Sequence, residues 1–174
     1  MTNEVTLDEF ISRVKDRASQ LLLESWNCAY SPITALYEYL GLQLTDETQG
    51  AAIGFAGGVS GNRYMCGGLW AAIHAVGAYA RRRQRLEDRI AEPGEGMKFI
   101  EANNEIHELA SKVYKRFIEM WGSPNCGDLN PRFDLTSEEQ QRKCRAIVRK
   151  SVEIAVRVLS EKYGEKAVLS PLKG

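Results

Sequence analysis

No membrane span, charge excess or export signal marks these 174 residues. No apolar run approaches the roughly 20 residues that a membrane-spanning helix needs, so we expect no membrane insertion. The 23 basic and 23 acidic side chains balance to a formal net charge of zero. This balance removes bulk charge as a reason to expect binding to nucleic acid. Residues 1–6 are polar and acidic and unlike a signal peptide, which indicates a cytoplasmic protein.

The apolar pattern is helical nearly throughout. Apolar residues make up 44% of the chain and charged residues 26%, which is the composition of an ordinary globular protein. The length suits one domain with its own core, spanning residues 1–174. Strand-like alternation is essentially absent, and apolar residues recur every three or four positions. The sequence therefore predicts an all-α protein, a single-domain bundle of about five to six helices.

Capping residues and helix breakers divide the chain. Thr6 and Glu9 have the spacing of a capping box, Gly41 is a candidate C-cap, and residues 93–94 (Pro-Gly) separate two long helices. Six helices are predicted. The first begins at Thr6, the second spans 31–41, and the third runs from 45–47 into 54–58. The fourth spans about 64–90, the fifth about 95–121, and the sixth runs from a capping box at Thr136 to about Tyr163.

Three small residues, Gly67, Ala71 and Ala75, lie four positions apart and line one face of the long helix over 64–90. Small side chains there let a neighbouring backbone approach closely. This pattern predicts tight packing within the bundle, with a homodimer contact as the alternative.

The four cysteines are Cys28, Cys66, Cys126 and Cys144, separated by 37, 59 and 17 residues. The Cys-x-x-Cys pair of a zinc finger, a thioredoxin-like site or a bacterial ferredoxin is therefore absent. The first three are predicted at helix starts or in a loop, and a helix N-terminus favours the thiolate. Four unrelated buried thiols are an equally good interpretation of the spacing. A disulfide pair is less expected in a chain without an export signal.

The residues around the cysteines resemble a known family. Four segments carry the likeness: Asn27-Cys28-Ala29; Phe55-Ala56-Gly57-Gly58 with Cys66-Gly67-Gly68-Leu69-Trp70-Ala71-Ala72; Trp121-Gly122-Ser123-Pro124-Asn125-Cys126; and Lys143-Cys144-Arg145-Ala146-Ile147-Val148. Over about residues 20–160 the chain is similar to the redox-active family named for its cysteine pattern, C-GCAxxG-C-C, which is related to the cysteine domain of split-Soret cytochrome c. Gly68 stands where the family usually has Ala, and Ala71 where it usually has Gly. No Cys-x-x-Cys-His is present, so covalent haem is not expected.

The resemblance leads to the main hypothesis for function. Cys28, Cys66, Cys126 and Cys144 would converge and bind an iron–sulfur cluster that transfers electrons to or from a redox partner protein, since four thiolates are the usual ligands of such clusters. A second set of residues, predicted to bring backbone N–H groups to the cluster, comprises Gly57, Gly58 and Gly67.

Three alternatives to the cluster stay open at this point. The first is a metal-free dithiol/disulfide redox protein, and the second is a structural zinc site. The third is a helical interaction module without chemistry. No nucleophile–histidine–acid arrangement stands out as catalytic.

Overall fold

The computed structural model describes residues 5–132 and 134–172. Within these ranges it contains eight helices and no strand. They are α1 (Leu7–Ser25), α2 (Tyr30–Leu40), α3 (Asp46–Gly54), α4 (Gly67–Leu86), α5 (Met97–Trp121), α6 (Cys126–Leu129), α7 (Glu138–Tyr163) and α8 (Glu165–Leu169). The all-α prediction is confirmed. None of these helices is both long and apolar enough to cross a membrane. Residues 1–4 of the polar start lie outside the described ranges.

The first capping box is present as predicted. The Thr6 hydroxyl accepts a hydrogen bond from the Glu9 N–H at 3.3 Å, and the Glu9 carboxylate accepts one from the Thr6 N–H at 2.8 Å. The box predicted at Thr136 is wrong by one residue, because Ser137 caps α7 by accepting from the Gln140 N–H. Thr136 instead donates its hydroxyl and its N–H to Asp134 Oδ1.

The start of α4 lies three residues later than the predicted start at Tyr64. Met65 and Asn125 form an isolated antiparallel bridge, and the Cys66 N–H donates to the Pro124 carbonyl at 2.8 Å. These bonds hold the chain extended before Cys66, which becomes the N-cap of α4. A partner distant in sequence thus moves a boundary that local propensity puts earlier.

The other long-helix ends also differ from the prediction. The helix predicted to about residue 90 ends at Leu86, before Asp88, whose φ is +52°. The predicted start of α5 at Glu95 shifts to Met97, after Gly96, whose φ is +59°. Left-handed φ values are incompatible with continuing a right-handed helix. The four-residue α6 and five-residue α8 are additions to the predicted set.

The core lies between α1, α2, α4, α5 and α7, with α7 packed against each of the other four. On α7 the predicted stripe is confirmed, and its members Val148, Val152, Ala155 and Leu159 are all buried. On α5 the residues Leu109, Val113 and Phe117 are buried, whereas Met120 is 51% exposed and its predicted place on the stripe is wrong. The last turn of α5 still contacts the core through Ile118 and Trp121, and Met120 lies on its solvent side.

The small-residue face of α4 packs inside the chain. Ala71 and Ala75 are completely buried, and Gly67 lies against Cys28 and Ala29 at the start of α2. The packing interpretation is therefore confirmed for this face. A homodimer stays a prediction.

Candidate four-thiol site

Four separate elements supply the four cysteines. Cys28 lies in the bend between α1 and α2, Cys66 is the N-cap of α4, and Cys126 is the first residue of α6. Cys144 lies about two turns into α7. The structure therefore confirms the predicted positions of Cys28 and Cys144 relative to their helices, whereas Cys66, predicted in the first turns of its helix, lies just before it as the N-cap. Cys126, predicted in a loop, begins a short helix instead.

Asn27 holds the bend that carries Cys28. Its Oδ1 accepts hydrogen bonds from the Ala29 N–H at 3.1 Å and the Tyr30 N–H at 2.8 Å. Both are donors at the start of α2 that have no partner within the helix. Its Nδ2 donates to the Ile53 carbonyl of α3 at 3.3 Å. The backbone on either side of the Cys28 thiol is therefore fixed by one side chain.

The bridge between residues 65 and 125 brings the segments of Cys66 and Cys126 together. The Cys126 N–H donates to the Tyr64 carbonyl at 2.7 Å, alongside the bond from Cys66 to Pro124. Successive residues in extended chain point to opposite faces. Cys66 and Cys126 each directly follow a bridge residue, so their side chains share the face opposite to Met65 and Asn125.

Cys28 lies next to the start of α4. A Cβ atom built on Gly67 would come within 2.8 Å of Cys28 Sγ, so the sulfur occupies space that only glycine leaves open. The backbone N–H groups of Gly57 and Gly67 form hydrogen bonds that favour the Cys28 thiolate. Two of the three predicted glycines therefore lie at the sulfur of Cys28.

The third predicted glycine, Gly58, has a role in the loop itself. Its φ is +71°, and a Cβ atom there would come within 2.5 Å of the Tyr64 carbonyl oxygen. Its own carbonyl accepts a hydrogen bond from the Tyr64 N–H at 3.0 Å. Gly58 thus lets the loop fold back before Cys66. A contact between Gly58 and a cofactor stays a prediction.

Burial raises the pKa of all four thiols, and neighbouring thiolates raise three of them further. The pKa of Cys66 rises to about 12 through burial and then the charges of Cys28 and Cys126. The pKa of Cys144 also rises to about 12, through burial and the same two charges. Burial and the charge of Cys126 raise the pKa of Cys28, and burial raises that of Cys126. Cys28 and Cys126 therefore lie within electrostatic range of each other and of both Cys66 and Cys144.

The expectation that helix starts would favour the thiolate is wrong for these cysteines. A helix N-terminus contributes about half an elementary charge, which falls off within one turn. Cys66 is only 7% exposed and Cys126 only 5% exposed. Transfer of a thiolate out of water costs more than the helix dipole and the N–H donors return. Without a bound cation, the thiols are protonated near neutral pH.

The arrangement does not match the ligand set of a single metal ion. All four cysteines are free thiols. Among the residues that the structure describes, no group of three or more His, Cys, Asp or Glu side chains is placed to hold one ion. Zinc holds thiolates at about 2.3 Å, so its sulfurs lie within roughly 4 Å of each other. A four-iron cluster binds each thiolate through a different iron, so its ligand sulfurs lie further apart than those of one metal ion.

Two polar residues at the site were missed in the sequence. Asn130 Nδ2 lies 3.9 Å from Cys126 Sγ, and its hydrogen bond also favours the Cys144 thiolate. Arg63 donates to the carbonyls of Gly127 and Asn130, and its charge favours the Cys126 thiolate. Asn130 follows Cys126 by four residues, a helical spacing that could have indicated it. No local pattern points to Arg63.

Fold and site together define a class: an all-α protein with four free cysteines on separate elements, two of them buried and two half-buried, whose charges act on one another. A family model described as "Putative redox-active protein (C_GCAxxG_C_C)" matches residues 26–158, and the chain belongs to that family. A protein of Archaeoglobus fulgidus, named "Uncharacterized protein", is 40% identical over 153 residues, which cover 88% of this chain and 97% of that protein. No solved structure matches the chain.

Proposed function

We propose that this protein transfers electrons through an iron–sulfur cluster bound by Cys28, Cys66, Cys126 and Cys144. The observation that carries the proposal is that four unlinked thiols from four separate elements, two buried and two half-buried, lie near enough for their charges to interact. Four unrelated core cysteines would have no reason to share one place. The membership of a redox-active family agrees with this chemistry.

The charge of the thiols fits a cluster. Four thiolates in one place would repel one another, and the charges of Cys28 and Cys126 raise the pKa of neighbouring thiols. Iron would add to the positive charge that Arg63 and Lys143 bring to the thiols, and a coordinating thiol loses its proton outright. When bound, the cluster supplies one-electron redox chemistry.

The backbone around the site has donors for sulfur. N–H groups of Gly57 and Gly67 point to Cys28, and those of Gly68 and Leu69 favour the Cys66 thiolate. Hydrogen bonds to ligand sulfurs stabilise the more negative, reduced form and raise the reduction potential. These residues would tune the site, while the cysteines hold it.

The second candidate is a metal-free dithiol/disulfide protein, favoured by the contact of Cys28 Sγ with Gly67, directly beside Cys66. Its weakness is that exchange needs a thiolate as the nucleophile. Burial raises the pKa of both thiols, so their exchange would be slow near neutral pH.

The test is anaerobic reconstitution with ferrous iron and sulfide, followed by an absorption spectrum and analysis of bound iron, sulfide and zinc. We expect a brown protein that holds iron and sulfide, and loss or weakening of both in C28S, C66S, C126S and C144S. A146S, which places a serine on the exposed face beside Cys144, should load like the wild type. Folded protein that stays colourless, or that binds zinc without sulfide, would overturn the proposal. Thiol loss on mild oxidation without metal would instead support the second candidate.

We also propose a cytoplasmic location and a redox partner protein. Four free cysteines in close proximity suit a reducing compartment, because an oxidising one drives such thiols into disulfides. An electron carrier needs a donor and an acceptor. Separation of cell fractions followed by immunoblotting tests the location.

A further inference from the structure

A cleft opens onto two of the four cysteines. It lies between the C-terminal end of α1, the loop at Gly57 and the first turns of α7, and both Cys28 and Cys144 line it. Its empty volume, including the open mouth, is about 630 Å³. This space suits one or two fused rings.

The wall of the cleft is mainly apolar and unusually exposed. Leu23 and Trp26 are each 56% exposed, and Leu135 is 52% exposed. Three large apolar side chains around one opening mark a binding surface more often than chance exposure. Trp26 also has a φ of +55°, a conformation that costs free energy for a residue with a side chain.

Gln140 gives the cleft an unused hydrogen-bond donor. The residue is 6% exposed, and its Oε1 accepts a hydrogen bond from the Asp134 N–H at 2.7 Å. Its Nε2 is buried without a hydrogen-bond partner in the part of the chain that the structure describes. The neighbouring Gln141 differs, because its Nε2 donates to the Leu135 carbonyl. A buried donor without a partner is costly, and a rotation of the amide toward the cleft would let a bound acceptor remove that cost.

Arg145 adds a positive charge to the same wall. It lines the cleft, is half-buried, and forms no ion pair with any described carboxylate. A guanidinium group and an amide donor on one wall are suited to a carboxylate. An apolar wall and an anion-binding edge together specify the ligand class.

We propose that a small apolar carboxylate binds in this cleft, with its apolar part against Leu23, Trp26 and Leu135 and its carboxylate accepting from Gln140 and Arg145. The ligand would then lie directly beside Cys28 and Cys144. A role of the ligand in electron transfer rests on the proposed redox function, whereas the binding of the ligand does not.

The test uses 2-naphthoate and reduced, metal-free protein labelled with ¹⁵N. The chain has three tryptophans, and only Trp26 lines the cleft, so the indole N–H signals of Trp70 and Trp121 are internal controls. W26F assigns the signal. We expect a saturable shift of the Trp26 signal alone. Because the protein is metal-free, failure of cluster reconstitution leaves this test unaffected, and failure to bind naphthoate leaves the cluster test unaffected.

Variants locate the two polar contacts. Q140L should weaken the binding of 2-naphthoate about three- to tenfold, which is the effect of losing one hydrogen bond. R145Q should weaken this binding at least as much. The neutral analogue 2-naphthamide should respond to Q140L but little to R145Q. The matched controls Q43L and R142Q change exposed side chains outside the cleft. No shift, equal shifts of all three indoles, or affinities unchanged in both folded variants would overturn the proposal.

Discussion

Replacement of Gly67 by alanine should destabilise the protein and disturb the thiol site at once. The new methyl group would come within 2.8 Å of Cys28 Sγ, 2.9 Å of Ala29 Cβ and 3.0 Å of Ala29 N. Two of these three atoms belong to rigid parts of the start of α2 and cannot rotate away. The start of α4 must therefore move from α2 by several tenths of an ångström.

The magnitude follows from overpacking in a close-packed interior. One extra methyl group without space costs about 1–3 kcal/mol of unfolding free energy. Gly77 provides the matched control on the same helix, because a Cβ atom there meets only Ile106 Cγ2, at an ordinary 3.5 Å. Alanine is the better helix former by about 0.5–1 kcal/mol, so G77A should be stabilised. The two variants should therefore differ by about 1.5–4 kcal/mol.

Urea unfolding, followed by circular dichroism, measures this difference directly. The alkylation rate of Cys28 in folded, metal-free protein is a second measurement, since a displaced sulfur should become more accessible in G67A but not in G77A. Equal stabilities of G67A and G77A, or a G67A protein more stable than the wild type, would refute the close contact between Gly67 and Cys28.

Three further predictions concern charge, backbone strain and thiol reactivity. Burial alone would raise the pKa of Glu153, but hydrogen bonds from three cations lower it to about 2. The ionised Glu153 carboxylate therefore stabilises the fold fully above pH 4.5, and this stabilisation is lost as pH falls toward 2. In urea unfolding at pH 7, E153Q should lose about 1–2 kcal/mol of unfolding free energy, after allowance for solvent screening. Its unfolding free energy should also fall less steeply with acid than that of the wild type, and an unchanged pH dependence would contradict this. W26N should gain about 1 kcal/mol of unfolding free energy, because Asn adopts the left-handed conformation at lower cost than Trp. It should nevertheless bind 2-naphthoate more weakly. A W26N protein less stable than the wild type would argue against strain at this residue. Burial raises the pKa of Cys66 and Cys144 to about 12. At pH 8, iodoacetamide should therefore label these two thiols more than tenfold slower than it labels glutathione, and the labelling should become faster as pH rises. Equal labelling rates at pH 8 would contradict the burial of the thiols.

Helix boundaries followed from the sequence where local chemistry sets them. Thr6 caps α1, Thr45 caps α3, and Gly41 ends α2 with a φ of +69°, each at a position that side-chain chemistry alone indicates. The start of α4 did not follow, because a hydrogen bond from Cys66 to Pro124 sets it. Trp26 at the end of α1 shows the same limit, since a left-handed C-cap favours glycine.

The site divides in the same way. The positions of Cys28 and Cys144 relative to their helices could be predicted from breakers and caps. The proximity of the four cysteines could not, because spacings of 37, 59 and 17 residues correspond to no local geometry. The family resemblance supplied that expectation. Burial of the thiols depends on the packing of α1, α2, α4 and α7, which no pattern in one segment contains. This is why the predicted preference for thiolates was wrong.

Burial makes the four thiols poor reagents by themselves and suitable ligands for a cation. A protonated thiol in an apolar place neither attacks a disulfide nor repels its neighbours, so the folded chain tolerates four of them together without cross-links. A metal centre reverses this balance, because its positive charge would neutralise the bound thiolates beyond what Arg63 and Lys143 provide. The protons that the thiols release on binding a metal must pass to solvent. The cleft beside Cys28 and Cys144 connects these two thiols with the solvent. A ligand in that cleft would therefore control access to the two least buried sulfurs, while Cys66 and Cys126, at 7% and 5% exposure, stay inside.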